Sequence, residues 1–220
     1  MRQIELLGVF LRRIAGHVEV KEMVESERLL DEAARRLVGL EMPILENQTF
    51  DGLRRLLSLS GDLDPAKAFA AASLLDRRAG MAAEQDEVPT AFRHWSSAFC
   101  LFTECHALPD EPLRELCREN IERVERRLLE FDLPDFVLHA QFAYHERRGD
   151  FGRAEDALFA LAERDDDDAG PLGRAFYDRL NRHSDAELAA GSFSRAEIAE
   201  GLAALSRMAP GSPEIRSDRC

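Results

Sequence analysis

Lysine is nearly absent from this 220-residue sequence: Lys21 and Lys67 are the only two, so arginine carries almost all of the positive charge. Asp and Glu outnumber Lys and Arg by 42 to 29, which gives a formal net charge of −13. This balance disfavours binding to nucleic acid or to anionic membrane surfaces, because both attract basic proteins. The arginines alternate with glutamates along predicted helix faces, so the sequence predicts no clustered arginine site.

The sequence also lacks the motifs that identify common catalytic sites. It contains no G-x4-G-K-[ST], G-x-S-x-G or G-x-G-x-x-G pattern. Its four cysteines, at positions 100, 105, 117 and 220, form no C-x2-C pair, so neither a zinc site nor a redox dithiol is indicated. We therefore expect a protein that is not an enzyme and that has no cofactor.

Two groups of potential metal ligands are explained without a metal. His139 and His145 are six residues apart, which places them on different faces of a helix, so they are expected to be exposed or groove-lining. The aspartates at 165–168 lack the spacing and the distant glutamate of an EF-hand loop. They are expected to lie in a solvated loop, and the sequence predicts no metal site.

Long apolar runs are missing as well. No stretch approaches the roughly 20 apolar residues that a membrane-spanning helix needs. The uncharged run from Leu6 to Leu11 is too short for the hydrophobic region of a signal peptide, and Arg12 and Arg13 interrupt it. We therefore predict a cytoplasmic protein with no membrane partner.

What the chain does contain is helical periodicity, with no convincing strand pattern. Apolar spacing and capping residues predict helices at about 2–16, 20–38, 50–58, 65–84, 90–106, 110–131, 134–147, 151–164 and 171–183. Residues 184–187 and 194–197 both match the S-x-x-E capping box. The sequence predicts an all-α fold, with one domain over residues 1–207 and a disordered tail over 208–220.

The segment 90–106 is expected to contribute most to the core. Its aromatic residues recur at helical spacing and are expected to be buried: Phe92, Trp95, Phe99 and Phe102. Cys100, Cys105 and Cys117 are expected to be buried, reduced thiols. His94 is expected at the helix surface.

The segment from Leu138 to Ala162 has the pattern of two helices joined by a tight turn at Gly149. Behind the turn, a small residue and two leucines are spaced four and then three apart, which lets the two helices approach closely. These residues are Ala154, Leu158 and Leu161. The same spacing recurs in two earlier triplets: Ser26, Leu30 and Ala33, then Ala91, Trp95 and Ala98.

These segments resemble an uncharacterised bacterial family, a domain of unknown function, with tetratricopeptide-like helical hairpins. The resemblance covers most of residues 2–207 and rests on LVGLE, RRGDFGRAEDALFALAE and GRAFYDRLNRHSDAELAAGSFSRAEI. It implies stacked hairpins in an α-solenoid with degenerate repeats, and it brings no established catalytic residue. Phe142 and Leu161 stand where the repeat usually has small residues.

By resemblance to the repeat, the first helix of each hairpin lines a concave groove. This places six side chains there: Asp76, Glu84, His139, Ala143, Glu146 and Arg147. Such a mixture suits a peptide, although these residues could equally be the solvated face of a helix. The sequence therefore predicts a scaffold that binds a protein or peptide, and self-association as a homodimer stays open. The alternatives are a hydrolase-like enzyme with an unrecognised helical active site and a regulatory module of a once longer chain.

Overall fold

The computed structural model describes residues 20–164 and 166–208, which are mostly helical. The chain divides into two compact units, Met1–Asp132 and Leu133–Cys220. The all-α prediction is confirmed for the described residues, whereas the assignment of one domain to residues 1–207 stays a prediction. The predicted helix at 2–16, the predicted tail beyond Met208, and Cys220 lie outside the described residues.

The first unit contains α1 (Val20–Ala33), α2 (Met42–Glu46), α3 (Phe50–Leu56), α4 (Pro65–Glu84), α5 (Val88–His106) and α6 (Glu111–Leu128). A π-helical turn, Ala34–Val38, extends α1 and ends at Gly39, whose left-handed φ of 81° suits glycine. The sequence missed α2, a short helix with Pro43 in its first turn.

A two-stranded antiparallel hairpin, β1 (Ser58–Leu59) and β2 (Asp62–Leu63), precedes α4. The expectation of no strand is wrong here. Ser60 and Gly61 have φ values of 56° and 97°, and positive φ at both positions is the geometry of a two-residue hairpin turn. The strands are too short for the alternation that identifies a strand from sequence.

The helices α4, α5 and α6 pack in chain order, each against the next. α4 begins as predicted, because the Asp64 carboxylate accepts hydrogen bonds from the first backbone N–H groups of the helix. Small side chains let α4 approach its neighbours closely, and six of its alanines are buried: Ala68, Ala70, Ala71, Ala72, Ala79 and Ala82. Between them Phe69 meets Phe102 edge-on, with ring centroids 5.6 Å apart.

The second unit contains α7 (Asp135–Arg148), α8 (Phe151–Ala162), α9 (Ala169–Leu180), α10 (Asp185–Ala190) and α11 (Arg195–Met208). Gly149 joins α7 to α8 with a φ of 74°, as the tight turn requires. At the start of α10 both hydrogen bonds of the predicted capping box are present between Ser184 and Glu187. At the second predicted box, the Glu197 N–H donates to Ser194 Oγ over 3.3 Å.

All three predicted triplets are buried, including Ser26, Trp95 and Leu161. Phe142, the large residue at a position where the repeat has a small one, meets Phe176 of α9 edge-on at 5.4 Å. Gly173 of α9 is closely packed, because a Cβ atom there would collide with Leu205 and would lie 3.1 Å from Leu158. The core of this unit therefore combines packed aromatic rings with a helix backbone that leucine side chains approach closely at Gly173.

Burial confirms most of the expectations for α5 and shows that the predicted exposure of two histidines is wrong. Phe99, Phe102 and the three predicted core cysteines are fully buried, and the cysteines are free. Phe92, which was also predicted to be buried, is only half-buried. His94, expected at the surface, is only 2% exposed, because neighbouring helices cover both sides of α5. His145, expected to be exposed or groove-lining, is 3% exposed. Among the helices within residues 20–164 and 166–208, none is long and apolar enough to cross a membrane.

Candidate functional site

A cavity of about 290 Å³ opens beside Trp95 in the first unit. Its lining residues are Ser73, Asp76, Arg77 and Gly80 of α4, Trp95 of α5, and Asn120, Arg123 and Arg127 of α6. We call it the Trp95 cavity. On α4 the lining recurs at Ser73, at Asp76 with Arg77, and at Gly80, and on α6 the intervals are three and four residues. Each helix therefore presents one continuous face to the cavity.

Gly80 leaves space at one edge of the Trp95 cavity. A Cβ atom built at this position meets no other atom within 4 Å. Glycine costs a helix interior about 1 kcal/mol relative to alanine. Space for at least a Cβ atom is therefore open at Gly80.

Arg123 crosses from α6 to α4 along the cavity wall. Its Nη2 donates to the Asp76 carboxylate and also, over 2.7 Å, to Asn120 Oδ1. The amide of Asn120 is fixed in turn, because its Nδ2 donates to the Leu116 carbonyl over 2.6 Å. The Asp76 side chain is 17% exposed, so this pair is partly shielded from solvent. These hydrogen bonds therefore hold the side chains of Arg123 and Asp76 in place on one wall of the cavity.

The ring of Trp95 forms the apolar part of the cavity. The guanidinium carbon of Arg127 lies 5.9 Å from its ring centroid, within the range of a cation–π contact. Phe131 approaches the same ring with a centroid separation of 6.4 Å and stacks on Phe92 at 4.7 Å. Only 7% of Trp95 is exposed, which confirms that it is a core residue.

The charge of the Trp95 cavity differs in sign from that of the whole chain. Three guanidinium groups and one carboxylate line it, whereas the chain carries −13. The expectation that arginines do not cluster is therefore wrong here. Arg77 is 46 positions from Arg123 in the sequence, and only the packing of α4 and α6 around α5 places them at one cavity.

Of the two predicted groove residues on α4, one lines the Trp95 cavity and the other does not. Asp76 lines the Trp95 cavity. Glu84 follows one turn after Gly80, is exposed and is not part of the lining. The predicted groove face of α4 therefore overlaps the cavity through Asp76 and Gly80.

The predicted groove residues on α7 lie in the second unit, where two of them have polar side-chain partners. His139 Nε2 lies 3.2 Å from Asp166 Oδ2, and the Glu146 carboxylate accepts from Arg179 of α9 at 2.7 and 3.1 Å. Ala143 packs against the apolar core of this unit. Arg147 is exposed. Three of the four therefore face other parts of the same unit, and their use as a groove stays a prediction.

His139 also belongs to a small group of potential metal ligands. One ligand atom each of His139, Asp166 and Asp168 lies within 4.8 Å of the other two. The Asp168 backbone N–H donates to Asp166 Oδ1 over 2.8 Å, so the loop is internally hydrogen-bonded. These bonds account for the positions of the aspartates, and the absence of a metal site stays a prediction.

A second cavity, of about 510 Å³, lies between α8 and α11. Glu155 is one of its lining residues and accepts a 2.5 Å hydrogen bond from the hydroxyl of Tyr177. Tyr177 is fully buried. Burial raises the pKa of Glu155, because an apolar surrounding disfavours the carboxylate. Burial likewise raises the pKa of Tyr177, and the bond to Glu155 adds to that effect. The pair is therefore a structural contact between α8 and α9.

Sequence reasoning missed Arg77, Trp95, Asn120, Arg123 and Arg127 as site residues. The last three share one face of α6, at intervals of three and four, and this spacing was the available indication. The structure shows that Arg123 binds Asp76 of α4.

The chain was compared with known families, curated proteins and solved structures. The model of a family of unknown function (DUF6483) matches residues 1–209. No curated protein matches the chain, and no solved structure matches it.

Proposed function

The chain belongs to this family of unknown function, and from that premise we propose that it is a non-enzymatic scaffold. Its tetratricopeptide-like hairpins bind a peptide segment of a partner protein, and the Trp95 cavity receives one side chain of that segment. A bacterial origin and a location in the cytoplasm belong to the same proposal.

The hairpins support the scaffold part of the proposal. α4 with α5 and α7 with α8 are neighbours in sequence that pack together, and each pair has small residues in its seam. The buried triplets Ala91–Ala98 and Ala154–Leu161 have the spacing of the tetratricopeptide repeat. Proteins of this architecture commonly present binding surfaces on a rigid framework.

The Trp95 cavity is the observation on which the proposal depends. The cavity is lined by an aromatic ring, three arginines and an amide, and it has open space at Gly80. Binding sites typically combine an apolar surface with a few fixed polar groups, and aromatic residues and arginine are enriched where binding energy concentrates. At about 290 Å³ the cavity is at the small end of ligand pockets, which suits one side chain of a peptide.

Selection from a random 12-residue peptide display library tests the proposal. We expect the wild-type protein to enrich related peptides that bind saturably. In Gly80→Leu the new side chain enters the open space, so these peptides should bind at least about tenfold more weakly. The matched control is Gly152→Leu in α8, another helical glycine whose Cβ would meet no atom within 4 Å.

Failure to enrich any peptide would contradict the proposal, as would equal binding to Gly80→Leu and wild type. Sedimentation velocity examines the remaining alternative, a second copy of the chain as the partner. A dimer that dissociates in Gly80→Leu but persists in Gly152→Leu would identify self-association through the Trp95 cavity.

A further inference from the structure

Arg127 supplies the Trp95 cavity with a positive charge that no carboxylate among the described residues neutralises. Its contact within residues 20–164 and 166–208 is with the ring of Trp95, and its side chain is exposed. A guanidinium carries five N–H donors, more than a single ring contact can occupy. Arg127 can therefore donate to an anion that enters the cavity.

Arg123 and Asp76 limit how much negative charge the cavity accepts. Asp76 already neutralises Arg123, and its own carboxylate lines the cavity. A second carboxylate beside it is tolerated only with a cationic partner, and a dianion is repelled more strongly. The net charge of −13 further disfavours polyanions by long-range repulsion. Arg77 and Arg127 are the other two cations of the lining, and Arg127 is the one that lies over Trp95. The Asp76 carboxylate therefore favours a singly charged anion over a dianion, and we place that charge at Arg127.

The shape of the cavity suggests what carries this charge. Trp95 provides an apolar wall beside Arg127, so a ligand with a short methylene stem contacts the ring while its charged end reaches the guanidinium. Arginine pairs with carboxylates through two parallel N–H···O bonds in one plane. Glutamate and aspartate side chains have this combination of stem and planar anion.

We infer that the Trp95 cavity binds a glutamate or aspartate side chain of the partner polypeptide. The carboxylate pairs with Arg127, and the methylene stem packs on Trp95. This inference rests on the proposed peptide-binding function and adds the chemistry of the bound residue.

The test uses enriched peptides, resynthesised with an acetylated N-terminus and an amidated C-terminus so that side chains carry the only carboxylates. Each is made with Glu, Gln or phosphoserine at the enriched acidic position. Binding is followed by the fluorescence of Trp95, the only tryptophan of the chain. We expect the Gln peptide to bind at least about tenfold more weakly than the Glu peptide, because hydrogen bonds between charged groups exceed neutral ones.

Two arginines of α6 provide a matched pair of variants. Arg127→Gln should weaken the Glu peptide at least about tenfold and leave the Gln peptide nearly unchanged. Arg126→Gln removes the same charge one position away, where Arg126 is exposed and donates to the Glu122 carbonyl over 3.1 Å. It should change binding less than about twofold, as expected for an exposed charge. Asp76→Asn should tighten the Glu peptide, because it removes a like charge.

Several outcomes would overturn the inference. Enriched peptides without an acidic position would refute it and leave peptide binding intact, whereas the absence of enriched peptides would refute the proposed function itself. Equal affinities of the Glu and Gln peptides, or equal effects of Arg126→Gln and Arg127→Gln, would also refute it. Tighter binding of the phosphoserine peptide would assign the cavity to a dianion, and binding that requires a free C-terminus would assign it to a chain end.

Discussion

The guanidinium of Arg127 lies over the indole ring of Trp95, 5.9 Å from its centroid. Trp95 is therefore both a core residue and part of the wall of a cationic cavity. Because the chain has no other tryptophan, its emission reports on this position alone.

Trp95→Ala should lower the free energy of unfolding by about 3–5 kcal/mol, because truncation of a buried indole leaves a cavity. That is a large part of the roughly 5–15 kcal/mol expected of a domain. The free energy of unfolding of Trp95→Phe should fall by less, because this variant keeps an aromatic ring. Urea unfolding followed by circular dichroism measures both, and an unchanged midpoint for Trp95→Ala would show that the indole is not packed.

Gly149→Val should destabilise the protein by about 1 kcal/mol or more, because a β-branched residue is strained at a φ of 74°. Gly149→Asn is the matched control, since asparagine tolerates the left-handed region. The free energy of unfolding of Gly149→Asn should fall by less than that of Gly149→Val. Thermal unfolding compares the two variants, and equal losses would mean that the backbone conformation is not the cause.

Gly201→Ala should cost about 1–3 kcal/mol through overpacking, because the new Cβ would collide with the Tyr177 hydroxyl and lie 2.6 Å from Glu155 Oε1. Tyr177→Phe removes the colliding oxygen and should therefore cost less in the Gly201→Ala background than in the wild type. A double-mutant cycle measures this coupling. Additive losses would argue against the close approach of α11 to Tyr177.

Stability should fall as the pH is lowered from about 6.5 towards 4, in part because of His94. Burial, with a further contribution from Arg93 and Arg78, lowers the pKa of His94 from 6.5 to about 4. In this window the unfolded chain binds a proton that the folded protein excludes, so acid favours unfolding by at most about 3 kcal/mol. Denaturant unfolding at several pH values should show a shallower dependence for His94→Gln. Parallel curves would exclude this histidine as a contributor.

Sequence predicted best those features that local chemistry determines. Asp64, Gly149 and Ser184 set helix boundaries through their own side chain or backbone, so α4, the turn before α8 and α10 were found. The short α2 and the β1–β2 hairpin were missed, because elements of two to five residues show no complete period.

The candidate site was only partly predictable. Asp76 was found, because the repeat pattern assigns it to the groove face of a first helix. Arg77, Arg123 and Arg127 were not recognised as a group, because each looks like a solvated helix residue until α4 and α6 pack around α5. His94 was misplaced for a related reason, since a helix covered on two sides has no fixed exposed face.

The packing of α4 on α5, α5 on α6 and α7 on α8 bears on the speed of folding. Each pair is joined by a short turn, so its contacts close small loops and little chain entropy is lost before they form. Helical proteins rich in such local contacts fold within about microseconds to milliseconds. Each hairpin can therefore assemble while later parts of the chain are still being synthesised, which shortens the time for which its apolar faces are open to aggregation.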